Sequence, residues 1–432
     1  MFNALIPLSF AFLDMTPERA LPAAQQILAR ADILGQHTDV AGELTCTYLG
    51  AAHQTVADQL AAWMREAGFD SVRIDAIGNV VGRYLARPGP APSACLVTGS
   101  HYDTVRNGGK YDGRLGILMG IGLVADLHAQ GLRLPHDLEV VAFADEEGVR
   151  FGSTFLGSSA YAGHFDGALM RATDAAGTTL RTAMQDAGRD SDGIARAATD
   201  ASRLAHYFEI HIEQGPVLLD RDLPVGVVTA IAGSVRRRLT LTGLAGHAGT
   251  TPMPLRRDAA CAAAEIALYV ESRCAREAGL VGTVGQLEVP GGSINVIPGA
   301  CRLSLDVRAA EDAVRDAALA DIEACIARAC GRRGVTWQSE ELLRAPAVAC
   351  DAAGRAAWRE AVAAQGVPVH ELLSGAGHDA MMIARIAPVS MLFIRCGAGG
   401  ISHHPMETVE AADVAVGLST AHAFLLAQGK AG

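Results

Sequence analysis

Apolar positions recur every three to four residues over residues 55–68 (TVADQLAAWMREAG), the spacing of one helical face. Alternating, strand-like stretches follow near Val72–Ile74 and Asn79–Tyr84. A proline-rich turn, ARPGPAPSA, then precedes the apolar run Cys95–Thr98, which predicts a buried strand. Leu115–His128 reads as an apolar helix closed by Gly131, and Leu138–Ala144 as a second buried strand. This strand–helix–strand order predicts an α/β domain with helices on both faces of its sheet. Residues 165–205 are polar, alanine-rich and weakly helical, and a strand then leads into HIEQGP at His211–Pro216.

From about residue 226 the pattern changes. Two strands (Val225–Ala230 and Arg238–Thr242) precede a long helix from Asp258 to about Ala278. Strands at Gly282–Glu288 and Cys301–Val307, a helix from Glu311 to about Cys330 and a strand near Val335 follow. Strands with two long helices predict an inserted α+β domain with a four-stranded sheet. From Asp351 helix and strand alternate again, ending in a helix from Ala411. The expected division is therefore residues 1–225 and 341–432 as one α/β domain, interrupted by residues 226–340.

Composition narrows the function classes. A chain of 432 residues, half of them hydrophobic and 19% charged, has ample material for more than one core. A formal net charge of −11 argues against a nucleic-acid binder but leaves anionic small molecules open, because a few arginines or cations set a site's local field. Nine cysteines without CxxC pairs read as reduced thiols in a cytoplasm. The opening MFNALIPLSFAFLD lacks the basic start and cleavage site of a signal peptide and is too short to span a bilayer, so it reads as a leader, with Met15 as an alternative start.

Five segments place possible metal ligands at strand ends or in loops. GSHYDTVRNGGKYDG carries His101, Asp103 and Asp112 among glycines that permit close backbone approach. FADEEGVRF sets Asp145, Glu146 and Glu147 directly after an apolar run, where adjacent carboxylates repel unless exposed or neutralised by cations. His211 in HIEQGP, His247 in GLAGHAGTTPM, and the pair SGAGHDA (His378, Asp379) and GISHHPME (His403, His404, Glu407) complete the set. One histidine alone is more often structural; several in separate glycine-rich loops point to a shared site. Walker A, GxGxxG and GxSxG patterns do not occur in a matching context.

Together these motifs resemble the hydantoinase/carbamoylase family of amidohydrolases, which includes N-carbamoyl-L-amino acid hydrolases, β-ureidopropionases and allantoate amidohydrolases, relatives of the dimetal aminopeptidases and aminoacylases. The resemblance runs from GSHYDT to GISHHP, and HIEQGP with GHAGTTPM is specific for this branch. It implies a mixed-sheet dimetal catalytic domain with an inserted lid and dimerisation domain. It implies His101, Asp112, Glu147, His211 and His403 as metal ligands, with Asp112 bridging two divalent ions (zinc, or manganese, cobalt or nickel). Glu146 takes the place of the general base, and Asp103 that of a carboxylate orienting His101. Gln214, His247, Asn295, Arg308 and Gly377 match substrate-contacting positions.

The activity so implied is hydrolysis of the ureido group of a small carboxylate, with Glu146 moving the proton, His247 and Asn295 near the oxyanion, and Arg308 holding the substrate carboxylate. A cytoplasmic homodimer joined through the inserted domain is the expected assembly, with neither nucleic acid nor membrane as partner. The competing readings are an aminoacylase- or dipeptidase-like hydrolase and a metal-bound binding protein without catalysis. The presence of Glu146 argues against the latter.

Overall fold

The computed structural model describes residues 15–89 and 93–428, so the leader MFNALIPLSFAFLD and the middle of the proline-rich turn, residues 90–92, lie outside the described residues. The chain divides into two compact units. The larger contains the residues up to Thr229 together with Cys350–Leu372 and His378 onward; the smaller contains Ala230–Ala349 and Leu373–Gly377.

In the larger unit the strands run in the spatial order Ser71–Ile74, Val80–Tyr84, Asp137–Phe143, Cys95–His101, Leu204–Ile212, Val389–Ile394 and Val225–Ile231. The four from Asp137–Phe143 to Val389–Ile394 are mutually parallel, and the flanking ones are antiparallel, which makes the sheet mixed. Cys95–His101, Asp137–Phe143 and Val389–Ile394 are buried at every position, as strands covered on both faces must be.

The covering follows from side-chain alternation. On one face Phe208 packs against Trp358 and Phe424, whose rings stack 4.0 Å apart, placing helices Ala352–Ala364 and Ala411–Gln428 there. Helix Arg114–Ala129 joins them; its large apolar residues are buried all round, from Leu115 to Leu127. On the opposite face Tyr207 and Phe143 meet Tyr161 of the short helix Leu156–Tyr161, and Glu209 accepts from the N–H of Ala380 at the start of helix Ala380–Ile383.

The smaller unit is an antiparallel sheet backed by two helices. Its strands lie in the order Leu287–Glu288, Ala300–Ala309, Gly233–Thr242 and Thr336–Ala345, with Leu280–Thr283 also on Ala300–Ala309. Alternation along Ala300–Ala309 turns Cys301, Leu303, Leu305, Val307 and Ala309 into a core with helices Ala259–Cys274 and Asp312–Arg333. It leaves Arg302, Ser304, Asp306 and Arg308 on the other face.

The sheet has five strands where the sequence predicts four. The expected strand Gly282–Glu288 is interrupted, and its halves pair separately with Ala300–Ala309. The expected helix to Ala278 stops at Cys274, because Gly279, with φ +76°, reverses the chain into Leu280–Thr283. Its start is sharp: the Asp258 carboxylate accepts from Cys261 N–H as an N-cap. Arg308 lies within its strand rather than beyond the end.

Candidate metal centre

The C-terminal ends of the four parallel strands converge, the usual position for a site in such a sheet. His101 ends one strand, Asp145, Glu146 and Glu147 follow the next, His211 is the penultimate residue of the third, and the loop after Ile394 carries His403. Asp112 sits in the loop between His101 and helix Arg114–Ala129. That loop closes tightly at Gly113, which has φ +64°; a Cβ there would lie 2.4 Å from the carbonyl oxygen of His101 and 2.5 Å from its ring.

Asp112 is the centre of the arrangement. One oxygen, Oδ1, is 3.8 Å from His101 Nε2 and 3.3 Å from His211 Nε2. The other, Oδ2, is 3.0 Å from His403 Nε2, which is itself 3.5 Å from Glu147 Oε1. Two ligand triads of suitable size result, His101–Asp112–His211 and Asp112–Glu147–His403, with Asp112 common to both. Glu146 forms a further group with His101 and Glu147 and is 9% exposed.

Asp103 holds this geometry from behind. Its oxygens accept from the backbone N–H groups of Glu146 (3.1 Å) and Glu147 (3.2 Å), and Oδ1 lies 3.3 Å from His101 Nδ1. The same carboxylate therefore orients a histidine and fixes the backbone of the acidic pair.

The electrostatics call for cations. Among the described residues, the ion pairs of Asp112 and Glu147 are with histidines, and no lysine or arginine pairs with them or with Glu146. Burial, with Glu147, Asp379 and Asp103 nearby, pushes the Glu146 carboxyl well above its ordinary range against the pull of His101. Burial and the neighbouring Asp112 raise Glu147 to about 7, and its Oε1 is buried without a hydrogen-bond donor. Burial opposes ionisation of Asp112 as well, but His211 and His403 outweigh it and hold that carboxyl well below the usual range. The hydrogen bond that its Nε2–H donates to Asp112 lifts His403 to about 9. A cluster of carboxylates and imidazoles with one orphaned oxygen fits a pair of divalent cations, which favour such N/O donor sets.

The remaining predicted residues fall in two places. Gln214, at φ +55°, donates its amide to both Asp112 oxygens (3.1 and 3.2 Å) and lies 3.2 Å from His403 Nε2. His404 is turned to a local task, accepting from Met406 N–H through Nδ1. In the smaller unit, His247 and Asn295 sit on one ribbon: His247 pairs with Val296, and the Asn295 carbonyl accepts from Ala248 N–H. Arg308 donates two bonds to Asp306 (2.9 and 2.8 Å) and one to the carbonyl of Gly375, two residues before Gly377.

Several supporting residues escaped the sequence reading. Asn79, fully buried, accepts from Ala144 N–H and donates to Gly157 O, fixing the strand end that leads into the acidic run. Arg114 donates to the carbonyls of Tyr102 and Leu34. Glu209, also fully buried, groups with His211 and His378. The only sequence signal for Glu209 was its spacing of two from His211, which puts both on one face of a strand.

Comparison with known proteins completes the picture. Residues 97–427 match the profile of peptidase family M20/M25/M40. The chain belongs to that family. Its hydantoinase/carbamoylase branch is the one it joins: the chain is 41% identical over 392 residues to the N-carbamoyl-L-amino acid amidohydrolase of Geobacillus stearothermophilus, covering 90% of this chain and 95% of that one. It is 37% identical over 430 residues to a probable allantoate deiminase of Oryza sativa subsp. japonica, covering 91% and 86%. Among solved structures, a hydantoinase/carbamoylase family amidase of Burkholderia multivorans superposes with a TM-score of 0.88 at 32% identity, covering 97% of this chain and 99% of that one. An M20-family chain of this branch is a mixed α/β protein of the dimetal hydrolase type.

Proposed function

We propose that the chain is a two-metal amidohydrolase that removes the carbamoyl group from a small ureido carboxylate, an N-carbamoyl-L-amino acid or allantoate, releasing ammonia and carbon dioxide. The observation that carries this reading is the sharing of Asp112 between two triads beside the buried Glu146, in a chain 41% identical to a carbamoylase along nearly its whole length.

His101, Asp112 and His211 would hold one cation, and Asp112, Glu147 and His403 the other. Zinc, manganese, cobalt and nickel all suit these donors. Bound there, the cations supply Lewis acidity and bring the pKa of water toward neutrality. Glu146 accepts the proton of the attacking water on its carboxylate and passes it to the departing nitrogen. Asp103 keeps Glu146 and His101 aligned through this transfer. His247 and Asn295 are proposed to face the developing oxyanion, and Gln214 and the backbone at Gly377 the ureido group.

Arg308 is proposed to take the substrate carboxylate. Its guanidinium already holds the Asp306 carboxylate in the two-point geometry that such recognition requires. A homodimer joined through the smaller unit is the proposed assembly. Nine free cysteines support a reducing cytoplasm as the compartment. None of the described helices is long and apolar enough to cross a membrane.

The test is a substrate panel with the metal-loaded enzyme: allantoate, N-carbamoyl-L-amino acids and 3-ureidopropionate, followed by ammonia release, and N-acetyl amino acids, followed by free amine. Ammonia from at least one ureido acid, with little turnover of the acetyl compounds, is expected. Preferential release of amine from the acetyl compounds would assign the chain to aminoacylase chemistry instead.

A further inference from the structure

Glu407 lies in the loop after His403, only 2% exposed, and belongs to neither ligand triad. Its Oε1 accepts from the backbone N–H of Tyr111 (2.9 Å) and of Asp112 (3.1 Å). Its Oε2 accepts from the hydroxyl of Ser402 (2.8 Å), the residue immediately before His403. The Glu407 N–H is tied to the carbonyl of His404, so the turn that carries the carboxylate is itself closed. A single buried carboxylate thus grips the loop bearing Asp112 and the loop bearing His403, which come from opposite ends of the chain.

The sequence supplies a matching accommodation. At Gly109 a Cβ would lie 2.2 Å from Glu407 Cδ and 2.6 Å from its Cβ, so only glycine lets the carboxylate reach those two N–H groups. Backbone N–H bonds to a charged acceptor are shorter and stronger than neutral ones. Here they set the position from which the Asp112 side chain meets three histidines.

We propose that Glu407 is a positioning residue for the metal centre, fixing Asp112 and His403 relative to each other; this rests on the two-metal reading above. Burying another carboxylate beside Asp112 raises the Glu407 carboxyl, through desolvation first and Asp112 second.

The test uses the full chain as wild type, Glu407→Gln, Glu407→Ala and Gly109→Ala. Each is stripped with chelator and titrated with Zn2+ alone against a competing indicator, and the melting temperature of each metal-free protein is recorded. Glu407→Gln should keep zinc affinity within about threefold, since its amide oxygen can still accept from both N–H groups. Glu407→Ala should bind zinc roughly 10–100-fold more weakly, as is typical when a residue orienting a ligand is lost, with turnover falling in parallel. Gly109→Ala should reproduce that loss.

Wild-type zinc affinity in Glu407→Ala overturns the proposal, and so does a lowered metal-free melting temperature with unchanged zinc affinity, which marks a purely structural role. A wild-type chain that takes up no zinc, manganese, cobalt or nickel overturns the two-metal reading itself and this proposal with it.

Discussion

Glu146 is held at the acid cluster by its backbone N–H on Asp103, while its side chain stays beside His101 and Glu147. Glu146→Gln should therefore keep the metal content of the wild type and lose two to four orders of magnitude in kcat, roughly the contribution of a general base. Metal analysis alongside kcat separates the roles: loss of metal would exchange Glu146 with Glu147. Arg308 invites a different comparison. Arg308→Ala should lower kcat/KM for a ureido acid by 10-fold or more while leaving its neutral amide analogue nearly unchanged, since truncating a desolvated carboxylate pair costs about 2–5 kcal/mol. Equal losses on both substrates would limit Arg308 to its pair with Asp306. His53 carries the clearest pH signature. It donates from Nε2 to the Ala144 carbonyl and stacks on Tyr102, and burial lowers its pKa from 6.5 to about 4. The folded state thus keeps the ring neutral where the unfolded chain would protonate it. Its contribution is intact above about 6.5 and is lost as pH falls toward 4, an effect of roughly 3 kcal/mol at most. In metal-free samples His53→Gln should lose less stability than wild type between pH 6.5 and 4.5; parallel curves would refute this. The residues of the two candidate triads were legible because each sits in a short motif at a strand end or in a loop. His53, Asn79 and Arg114 were not, since each acts on a carbonyl or amide distant in sequence.

At the scale of elements, the loop from His101 to helix Arg114–Ala129 depends on one backbone conformation. Gly113→Ala would place a methyl against His101 and add roughly 1–2 kcal/mol of left-handed strain. The expected outcome is a lower urea midpoint together with loss of metal, because the same shift moves His101 and Asp112. A midpoint drop with full metal content would mean that the loop relaxes without moving its ligands. The buried strands and helix Arg114–Ala129 could be read from the sequence because apolar and small residues dominate them. Two regions were less legible. The sequence marks a strand only near Val335; the strand observed, Thr336–Ala345, is exposed along nearly all its length and carries Gln338, Ser339, Glu340 and Glu341 in succession, so no alternation reveals its extent. Its length follows from pairing with Gly233–Thr242, a tertiary fact. Residues 165–205 resolve into short helical turns capped by Asp166, Thr179 and Asp200, each too brief to imprint a period on the sequence.

For the molecule as a whole, cations should act as a structural clasp as well as a catalyst. At a free metal concentration of 100 times Kd, each site adds about 2.7 kcal/mol to the stability of the state that binds it. Chelation should therefore lower the melting temperature, and graded return of zinc should restore it along with activity; a melting temperature indifferent to metal would contradict ligation by folded-state residues. The order in which the ligands arrive during synthesis adds a temporal constraint. Strand Val389–Ile394 is wedged between Leu204–Ile212 and Val225–Ile231, though the chain makes it long after both. While a ribosome is still translating residues 230–349, which supply nearly all of the smaller unit, that unit can close on its own, but the main sheet stands with a vacant slot and unsatisfied strand edges. His403 emerges later still. A nascent chain thus has all of the first triad, together with Glu147, for much of its time on the ribosome without the His403 that completes the second, so filling both proposed cation sites waits for the finished polypeptide.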